Sequence, residues 1–318
     1  FYQHIKLLLI QQDLVFFFDM FFHDQSLLLC IVPSTSKDYS RNAGRNTKKT
    51  VIHLTTEEVM HMRYAVVKKL DENTQRVAEE VTRRLNSGGW TADEQHPELV
   101  ICIGGDGTLL YGVHQYMESI NDLMFLGIHT GTLGFFTDYT QDELDVCLND
   151  LLTSVPRINS SPLLKIEVDT WDAPVYALNE MRIENVIRSQ NMDIYVDGEY
   201  FENCRGSGIC LSTQAGSTAY NRSLKGAVID SGLSVMQLAE ITPIQHSKHR
   251  SLGNPYIMME NRRVRMVSED FRTAMLCYDH IAVPLESARE VRVQFSDKYV
   301  RFARYREYSY LKRLKNLY

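Results

Sequence analysis

Residues 98–110 read ELVICIGGDGTLL, and this segment indicates the class of fold. A short, largely apolar run that ends directly in glycines is typical of a buried strand in a parallel sheet followed by a tight turn. A helical pattern comes next, and the apolar run MFLGI at residues 124–128 predicts another strand. Strands that alternate with helices predict an α/β domain, in which helices cover a parallel sheet.

The sequence after about residue 160 has a different pattern. Apolar and polar residues alternate in short segments separated by turn residues, as in residues 163–171 and 290–305. Such alternation is typical of antiparallel strands with one buried face. Val-Asp-Gly-Glu at residues 196–199 is a strong signal for a β-hairpin turn. We therefore predict an antiparallel β domain after the α/β domain.

The first 61 residues differ from the rest of the chain. Residues 5–32 are apolar and aromatic, but Gln, Asp and His residues interrupt every run before it reaches the roughly 18 apolar residues that a membrane span needs. The character changes at Met62, where a strand, turn and helix pattern begins. We expect residues 1–61 to be an atypical extension or translated upstream sequence, with a membrane-anchoring hairpin as the alternative.

Composition limits the classes of function. The 34 basic and 40 acidic residues of the 318 give a net charge of −6, which does not favour a general nucleic-acid binder. The cysteines form no C-x-x-C pair and the histidines no metal-binding spacing. We therefore expect reduced thiols in a cytoplasmic protein, without a protein metal site or a membrane partner.

The glycine-rich turn is the first segment that suggests chemistry; it comprises Gly104, Gly105, Asp106, Gly107 and Thr108. Glycines at the end of a strand allow backbone amides to approach a phosphate closely. An aspartate there would repel the anion, so it favours a role toward a hydroxyl proton or a magnesium ion. The alternative is a plain turn in which Asp106 caps the helix.

Three further segments contain residues suited to nucleotide binding. Residues 127–136 (GIHTGTLGFF) combine glycines with two aromatic residues, against which a flat ring could stack. Asn179-Glu180, at a strand end, offers an amide for an adenine edge and a carboxylate for ribose hydroxyls. Residues 205–221 (RGSGICLSTQAGSTAYN) are dense in glycine and small hydroxyl residues. Each segment alone is also compatible with an ordinary loop.

Together and in this order, the four segments resemble the NAD kinase family, in its compact bacterial branch. GGDGT alone is shared with lipid kinases and phosphofructokinases, whereas an NE pair followed by GSTAY is quite specific. The resemblance covers about residues 62–318. It implies a Rossmann-like α/β domain, a β-sandwich-like domain with the NAD-binding loops, and a tail that returns to the first domain, at residues 62–160, 161–293 and 294–318.

The resemblance also implies an activity. A family member transfers a phosphoryl group to the adenosine-ribose 2′-hydroxyl of NAD(H) and so makes NADP(H). The donor is ATP or inorganic polyphosphate, with a divalent metal cation such as Mg²⁺. Family members are commonly homodimers or homotetramers.

Carried over residue by residue, the resemblance implies that Asp106 is the general base or orienter of the 2′-hydroxyl. Asn179 and Glu180 match the dinucleotide-binding pair. The other implied substrate- and nucleotide-binding positions are Gly104, Gly105, Gly107, Thr108, Gly134, Phe135, Ser207, Thr218, Ala219, Tyr220, Ser223, Thr242 and Asp279. Thr242, with Ile244 and His249, falls in a segment that completes the site at a subunit contact in the family.

Three residues depart from the family pattern. Ser207 replaces an aspartate of many members, Gln214 a proline, and Lys225 a glycine. Loss of the carboxylate at position 207 predicts altered dinucleotide affinity or orientation. Lys225 is strained by roughly 1–3 kcal/mol if its backbone needs a positive φ; alternatively, its ammonium approaches a phosphate.

Two other functions remain open on the sequence. A lipid or sphingoid-base kinase would explain GGDGT and the apolar N-terminus, although not the NE pair or GSTAYN. A non-catalytic NAD(P)-binding protein would be compatible with the three departures.

Overall fold

The computed structural model describes residues 61–131, 134–245 and 251–316, together with the backbone of short strands near the N-terminus. Those strands belong to a separate unit, Phe1–Lys49, and are β1 (Leu7–Ile10), β2 (Asp13–Phe18), β3 (Phe21–Phe22), β4 (Gln25–Ser26) and β5 (Leu29–Cys30). Among the described residues, none of the helices combines the length and apolar character needed to cross a membrane. His249 lies outside the described residues.

The first part of the second unit, Thr50–Tyr318, alternates strands and helices as predicted. Its elements are β6 (Arg63–Lys68), α1 (Glu72–Ser87), β7 (Thr91–Ala92), β8 (Leu99–Gly104), α2 (Asp106–Gln115), β9 (Met124–His129), β10 (Tyr139–Thr140) and α3 (Leu144–Thr153). Strands β6, β8 and β9 are parallel neighbours. Strand β8 is buried along its whole length, which explains its continuous apolar sequence.

The second part is mostly antiparallel. Its elements are β11 (Arg157–Val168), β12 (Val175–Ala177), β13 (Glu180–Glu184), β14 (Gln190–Val196), β15 (Glu199–Gly206), β16 (Gly208–Thr213), α4 (Tyr220–Ser223), β17 (Val235–Ile241), β18 (Tyr256–Met259), β19 (Val264–Val267), β20 (Met275–Tyr278), β21 (Ile281–Pro284), β22 (Glu290–Arg304) and α5 (Tyr310–Lys315). The predicted hairpin turn at residues 196–199 is confirmed, because Asp197 and Gly198 both have positive φ, of 52° and 87°.

Two sheets pack face to face in this part. The larger sheet has the order β15-β14-β19-β22-β9-β8-β6-β7, with β10 paired to β9, β11 paired to β22, and β12 paired to β11. The smaller sheet has the order β18-β17-β16-β13-β20-β21. Buried side chains from both sheets meet in one core, among them Ile166 and Ile194 from the larger sheet and Ile183, Leu211 and Leu238 from the smaller. The predicted fold class, an α/β domain followed by an antiparallel β-sandwich, is confirmed.

The two parts share a pair of long antiparallel strands. Strands β11 and β22 pair from Arg157↔Arg304 to Val168↔Val291, with one irregularity, and Phe302 of β22 pairs in parallel with Phe125 of β9. The larger sheet therefore continues from the α/β part into the sandwich. The boundaries predicted at 160/161 and 293/294 lie inside these strands.

The tail after β22 contacts the α/β part. The Tyr308 hydroxyl donates to the Phe135 carbonyl at 3.0 Å, and the Arg313 guanidinium donates to the Thr137 carbonyl at 2.6 Å. Arg313 and Arg304 both pair with Asp138, and all three side chains are buried. These contacts hold the loop that carries Phe135.

Candidate active site

The GGDGT segment forms the junction between β8 and α2, as the sequence predicts. Gly104 ends the strand, Gly105 is the N-cap of the helix, and Gly107 and Thr108 lie in its first turn. A Cβ atom built on Gly107 would meet no other atom within 4 Å, so the space beside this turn is open. An open first turn of a helix is suited to an incoming anion.

The Asp106 carboxylate joins the two glycine-rich segments. Its Oδ2 accepts a hydrogen bond from the Phe135 amide at 2.8 Å, and its Oδ1 accepts one from the Phe136 amide at 3.0 Å. The helix has no side-chain cap, so the alternative in which Asp106 caps it is wrong. A Cβ atom on Gly134 would lie 2.3 Å from Oδ1, which explains the glycine at that position.

The second glycine-rich segment is held by contacts within the protein. The Gly131 amide donates to Nδ1 of His129, the last residue of β9, at 2.7 Å. Burial lowers the pKa of His129. Phe135 and Phe136 both line a cleft of about 370 Å³. Phe136 is buried and stacks on Phe302 at 5.6 Å, whereas Phe135 is half-buried, so Phe135 is the more accessible of the two aromatic residues.

Asn179 directly precedes β13 and Glu180 is its first residue, so the pair lies at the start of a strand rather than after one. Both residues are buried, at 8% and 5% exposure. Asn179 Oδ1 and Glu180 Oε2 have no hydrogen-bond partner within the described residues. Buried polar atoms without partners are unfavourable, and ligand donors would satisfy both atoms.

The environment of Glu180 disfavours its charged form. Burial, and secondly the negative charge of Asp279, raise the pKa of Glu180 to about 7, although the Arg182 guanidinium opposes the shift. The carboxyl group is therefore poised to change protonation state near neutral pH. Perturbed groups of this kind are concentrated at functional sites.

The GSTAY segment packs directly on this pair. A Cβ atom on Gly216 would lie 2.0 Å from the Asn179 carbonyl oxygen. The Tyr220 hydroxyl donates to Glu184 at 2.5 Å, and the Arg182 guanidinium lies 3.9 Å from the centre of the Tyr220 ring. Thr218 and Ala219 are half-buried beside it, and Ser223 is exposed.

Asp279 shapes the loop rather than facing open space. Its side chain is fully buried, and its carboxylate accepts hydrogen bonds from the Leu178 amide at 2.8 Å and the Asn179 amide at 2.7 Å. A third contact, at 2.8 Å, is with Nε2 of His114, which the sequence analysis did not select. The one available signal was the position of His114 on the helix that follows GGDGT.

The structure shows the local environment of Ser207, Gln214 and Lys225, the three residues that depart from the family pattern. The Thr242 hydroxyl donates to that of Ser207 at 2.6 Å. Gln214 has φ −57°, which proline would also adopt, and its amide donates to the Ile229 carbonyl at 3.0 Å. Lys225 has φ 59°, so the condition for the predicted strain is met.

The site residues thus form three groups. The structure brings Asp106 together with Gly134 and Phe135, and brings Asn179 and Glu180 together with the GSTAY segment and Asp279. Ser207 and Thr242 form the third group; Ser207 lies between β15 and β16, and Thr242 directly follows β17. Helix α2 connects the first two groups, because it carries Asp106 at one end and His114 near the other.

A parallel α/β sheet with a carboxylate between glycines at a strand end, continued into a sandwich with a buried amide–carboxylate pair, defines a nucleotide-binding class of protein. The chain belongs to the ATP-NAD kinase family. The model of the family's N-terminal domain matches residues 29–155, and that of its C-terminal domain matches residues 178–305.

Individual relatives agree with this assignment. The chain is 35% identical over 263 residues to the NAD kinase of Limosilactobacillus reuteri, covering 80% of this chain and 97% of the relative. It is 34% identical over 244 residues to the NAD kinase of Lacticaseibacillus paracasei, covering 76% and 92%.

Solved structures share the fold. Yeast NADH kinase complexed with NADH has a TM-score of 0.70 at 18% identity, covering 80% of this chain and 87% of that one. An NAD kinase from Archaeoglobus fulgidus in complex with ATP has a TM-score of 0.62 at 24% identity, covering 80% and 97%.

Proposed function

We propose that this protein is an NAD kinase, which transfers the γ-phosphoryl group of ATP to the adenosine-ribose 2′-hydroxyl of NAD(H). The observation that carries the proposal is the buried Asn179-Glu180 pair, whose Oδ1 and Oε2 atoms lack partners in the described structure. In a chain of the ATP-NAD kinase family, ribose hydroxyls and an adenine edge are the donors that suit these atoms.

The chemistry requires one proton acceptor and well-positioned phosphates. The 2′-oxygen attacks the γ-phosphorus, the bond from that phosphorus to the bridging oxygen breaks, and ADP leaves. The hydroxyl proton passes to Asp106, which acts as general base or orients the hydroxyl. The two backbone amides that bind its carboxylate hold it in place.

The dinucleotide is proposed to lie between the loops of the two parts. Phe135 offers the open aromatic face, and the half-buried Thr218 and Ala219 lie beside Tyr220. Gly104, Gly105, Gly107 and Thr108 would line the phosphates, because the space beside Gly107 is open.

A divalent cation such as Mg²⁺ fits this site as an ion that enters with the donor. Among the described residues, no cluster of three or more His, Cys, Asp or Glu side chains could hold a metal. Mg²⁺ commonly binds through one or two carboxylates and the phosphates of a substrate. Asp106 is the carboxylate that would contribute, and the ion would neutralise phosphate charge.

Assembly and location are also proposed. A homodimer or homotetramer is supported by Ile244, which is 40% exposed beside Thr242 in the segment predicted to form a subunit contact. A cytoplasmic location is supported by the buried, free thiols of the described cysteines, Cys102, Cys147, Cys204, Cys210 and Cys277.

One assay separates the candidate functions. Purified protein is incubated with NAD or NADH, with ATP or polyphosphate as donor, and NADP(H) is quantified. NADP(H) formation supports the proposal and identifies the donor. Labelled phosphate in a sphingoid base instead would favour the lipid-kinase alternative, which explains GGDGT but not the match of both halves to NAD kinase models. NAD binding without turnover would indicate a non-catalytic protein.

The raised pKa of Glu180 predicts that the stability of the protein depends on pH. Its pKa is about 7 in the folded protein, against 4.5 for the ordinary group, so the folded state binds the proton more tightly. This stabilisation is fully present below pH 4.5 and is lost as the pH rises through about 7. Urea unfolding from pH 5 to 8 should show a loss of about 1–3 kcal/mol that Glu180→Gln lacks. Parallel pH curves for the two proteins would contradict this assignment.

The open space beside Gly107 predicts that a substitution there weakens ATP binding without lowering the stability of the protein. Gly107→Ala places a methyl group in the open space beside the first turn of α2. We expect unchanged or slightly raised stability, by up to about 1 kcal/mol, because alanine favours the helix. The KM for ATP should rise about tenfold, since the methyl group would lie where phosphate approaches. An unchanged KM would place the phosphates elsewhere.

A further inference from the structure

His114 contacts the buried carboxylate of Asp279. It lies in the last turn of α2, its side chain is 11% exposed, and its Nε2 is 2.8 Å from Oδ2 of the fully buried Asp279. The same carboxylate accepts the amide hydrogens of Leu178 and Asn179. A carboxylate with these donors acts only as an acceptor, so Nε2 of His114 carries the proton and donates.

We propose that His114 is a positioning residue for dinucleotide binding, an inference that rests on the proposed function. Its hydrogen bond ties α2 of the α/β part to Asp279 of the sandwich. Asp279 in turn holds the backbone of the dinucleotide-binding pair, because its carboxylate binds the Asn179 amide and its own amide donates to the Glu180 carbonyl at 3.0 Å. His114 thereby sets where Asn179 and Glu180 lie relative to the helix that begins at Asp106.

The backbone of Asp279 is fixed by a tight turn. Asp279 and His280 are the two residues between β20 and β21, where Tyr278 pairs with Ile281, and a φ of 49° is typical of such a two-residue hairpin turn. The side chain of Asp279 therefore extends from a defined backbone position toward His114. The ring of His280 lies edge-on to that of His114 at 5.1 Å, and Tyr278 lies at 5.7 Å, so the imidazole is packed on more than one side.

The proposal distinguishes binding of the two substrates. Asn179 and Glu180 are the groups that would contact NAD, whereas Asp106 is held independently by the Phe135 and Phe136 amides. Loss of the His114 hydrogen bond should therefore weaken NAD binding while leaving the chemical step and ATP binding nearly unchanged.

The test compares three substitutions at His114. His114→Leu removes the donor, and His114→Asn retains polarity with an amide too short to reach Asp279. His114→Gln places an amide nitrogen at about the reach of Nε2. We expect the KM and the calorimetric Kd for NAD to rise about tenfold in the Leu and Asn variants and to stay within about threefold in Gln. The kcat and the KM for ATP should stay within about threefold in all three.

Gln115→Leu is the matched control, because it changes an exposed neighbour at the end of the same helix and should leave every parameter unchanged. Thermal unfolding identifies any variant that is not folded at the assay temperature. If His114→Leu is unfolded, the comparison of His114→Asn with His114→Gln still tests the proposal. An unchanged Kd for NAD in Asn, or equal losses in Asn and Gln, would overturn the proposal. If the parent binds NAD without turnover, the proposed function fails, and the Kd values still test the role of His114.

Discussion

Asp106→Asn is expected to lower the kcat of NADP formation by roughly two orders of magnitude or more, with NAD bound within about tenfold of the parent affinity. The substitution keeps the shape of the side chain and removes the group that takes or orients the proton of the acceptor hydroxyl. Steady-state kinetics and calorimetric NAD binding on the same folded variant measure the two quantities. A kcat within about threefold of the parent would reduce Asp106 to a structural residue.

The structure adds a second role that this experiment must separate. Both carboxylate oxygens of Asp106 accept backbone amides, and asparagine offers only one acceptor, so either the Phe135 or the Phe136 amide loses its partner. Thr137→Val is the matched control, because the Thr137 hydroxyl accepts the Gly134 amide of the same loop at 3.0 Å. We expect Thr137→Val to keep kcat within about threefold. If it reproduces the loss seen with Asp106→Asn, displacement of the loop explains both.

Local patterns predicted a large part of the fold. The apolar run of residues 98–103 followed by glycines indicated a buried strand and turn, because full burial removes the alternation of exposed and buried positions. The hairpin at residues 196–199 was predictable because Asp-Gly tolerates positive φ at both central positions. These features depend on neighbours in sequence, so the sequence alone determines them.

Long-range pairing was not predictable in the same way. Nothing local indicated that β11 and β22, about 130 residues apart in the chain, pair with each other and continue the parallel sheet into the sandwich. The predicted domain boundaries lie inside both strands for this reason. The position of a domain boundary depends on which segments contact each other. Contacts between segments that are far apart in the chain leave no periodic pattern in the sequence.

The candidate site was likewise predictable only where it depends on local sequence. The glycine-rich segments and the NE pair were recognisable by composition and order. The hydrogen bonds from the Phe135 and Phe136 amides to Asp106 were not, since they join residues 29 and 30 positions apart. His114 and Asp279 are 165 residues apart, and a lone histidine on a helix carries little information by itself.

Gly216→Ala is expected to lower NAD affinity by about a hundredfold and the free energy of unfolding by about 3 kcal/mol. The added Cβ would lie 2.0 Å from the Asn179 carbonyl oxygen and 2.4 Å from its carbonyl carbon. Both are backbone atoms, so a rotamer change cannot relieve the clash. Asn179 and the GSTAY loop must separate, and this moves the amide and carboxylate that would contact NAD.

The size of this effect distinguishes Gly216 from a glycine that only permits a loop. Gly107→Ala is the control for stability, because its added Cβ meets no other atom within 4 Å. Urea unfolding and NAD calorimetry on the two variants, with parent protein alongside, provide the comparison. A Gly216→Ala variant that unfolds like the parent and binds NAD within about threefold would mean that the loop yields without moving Asn179. In that case the close packing of GSTAY on the NE pair would not determine dinucleotide affinity.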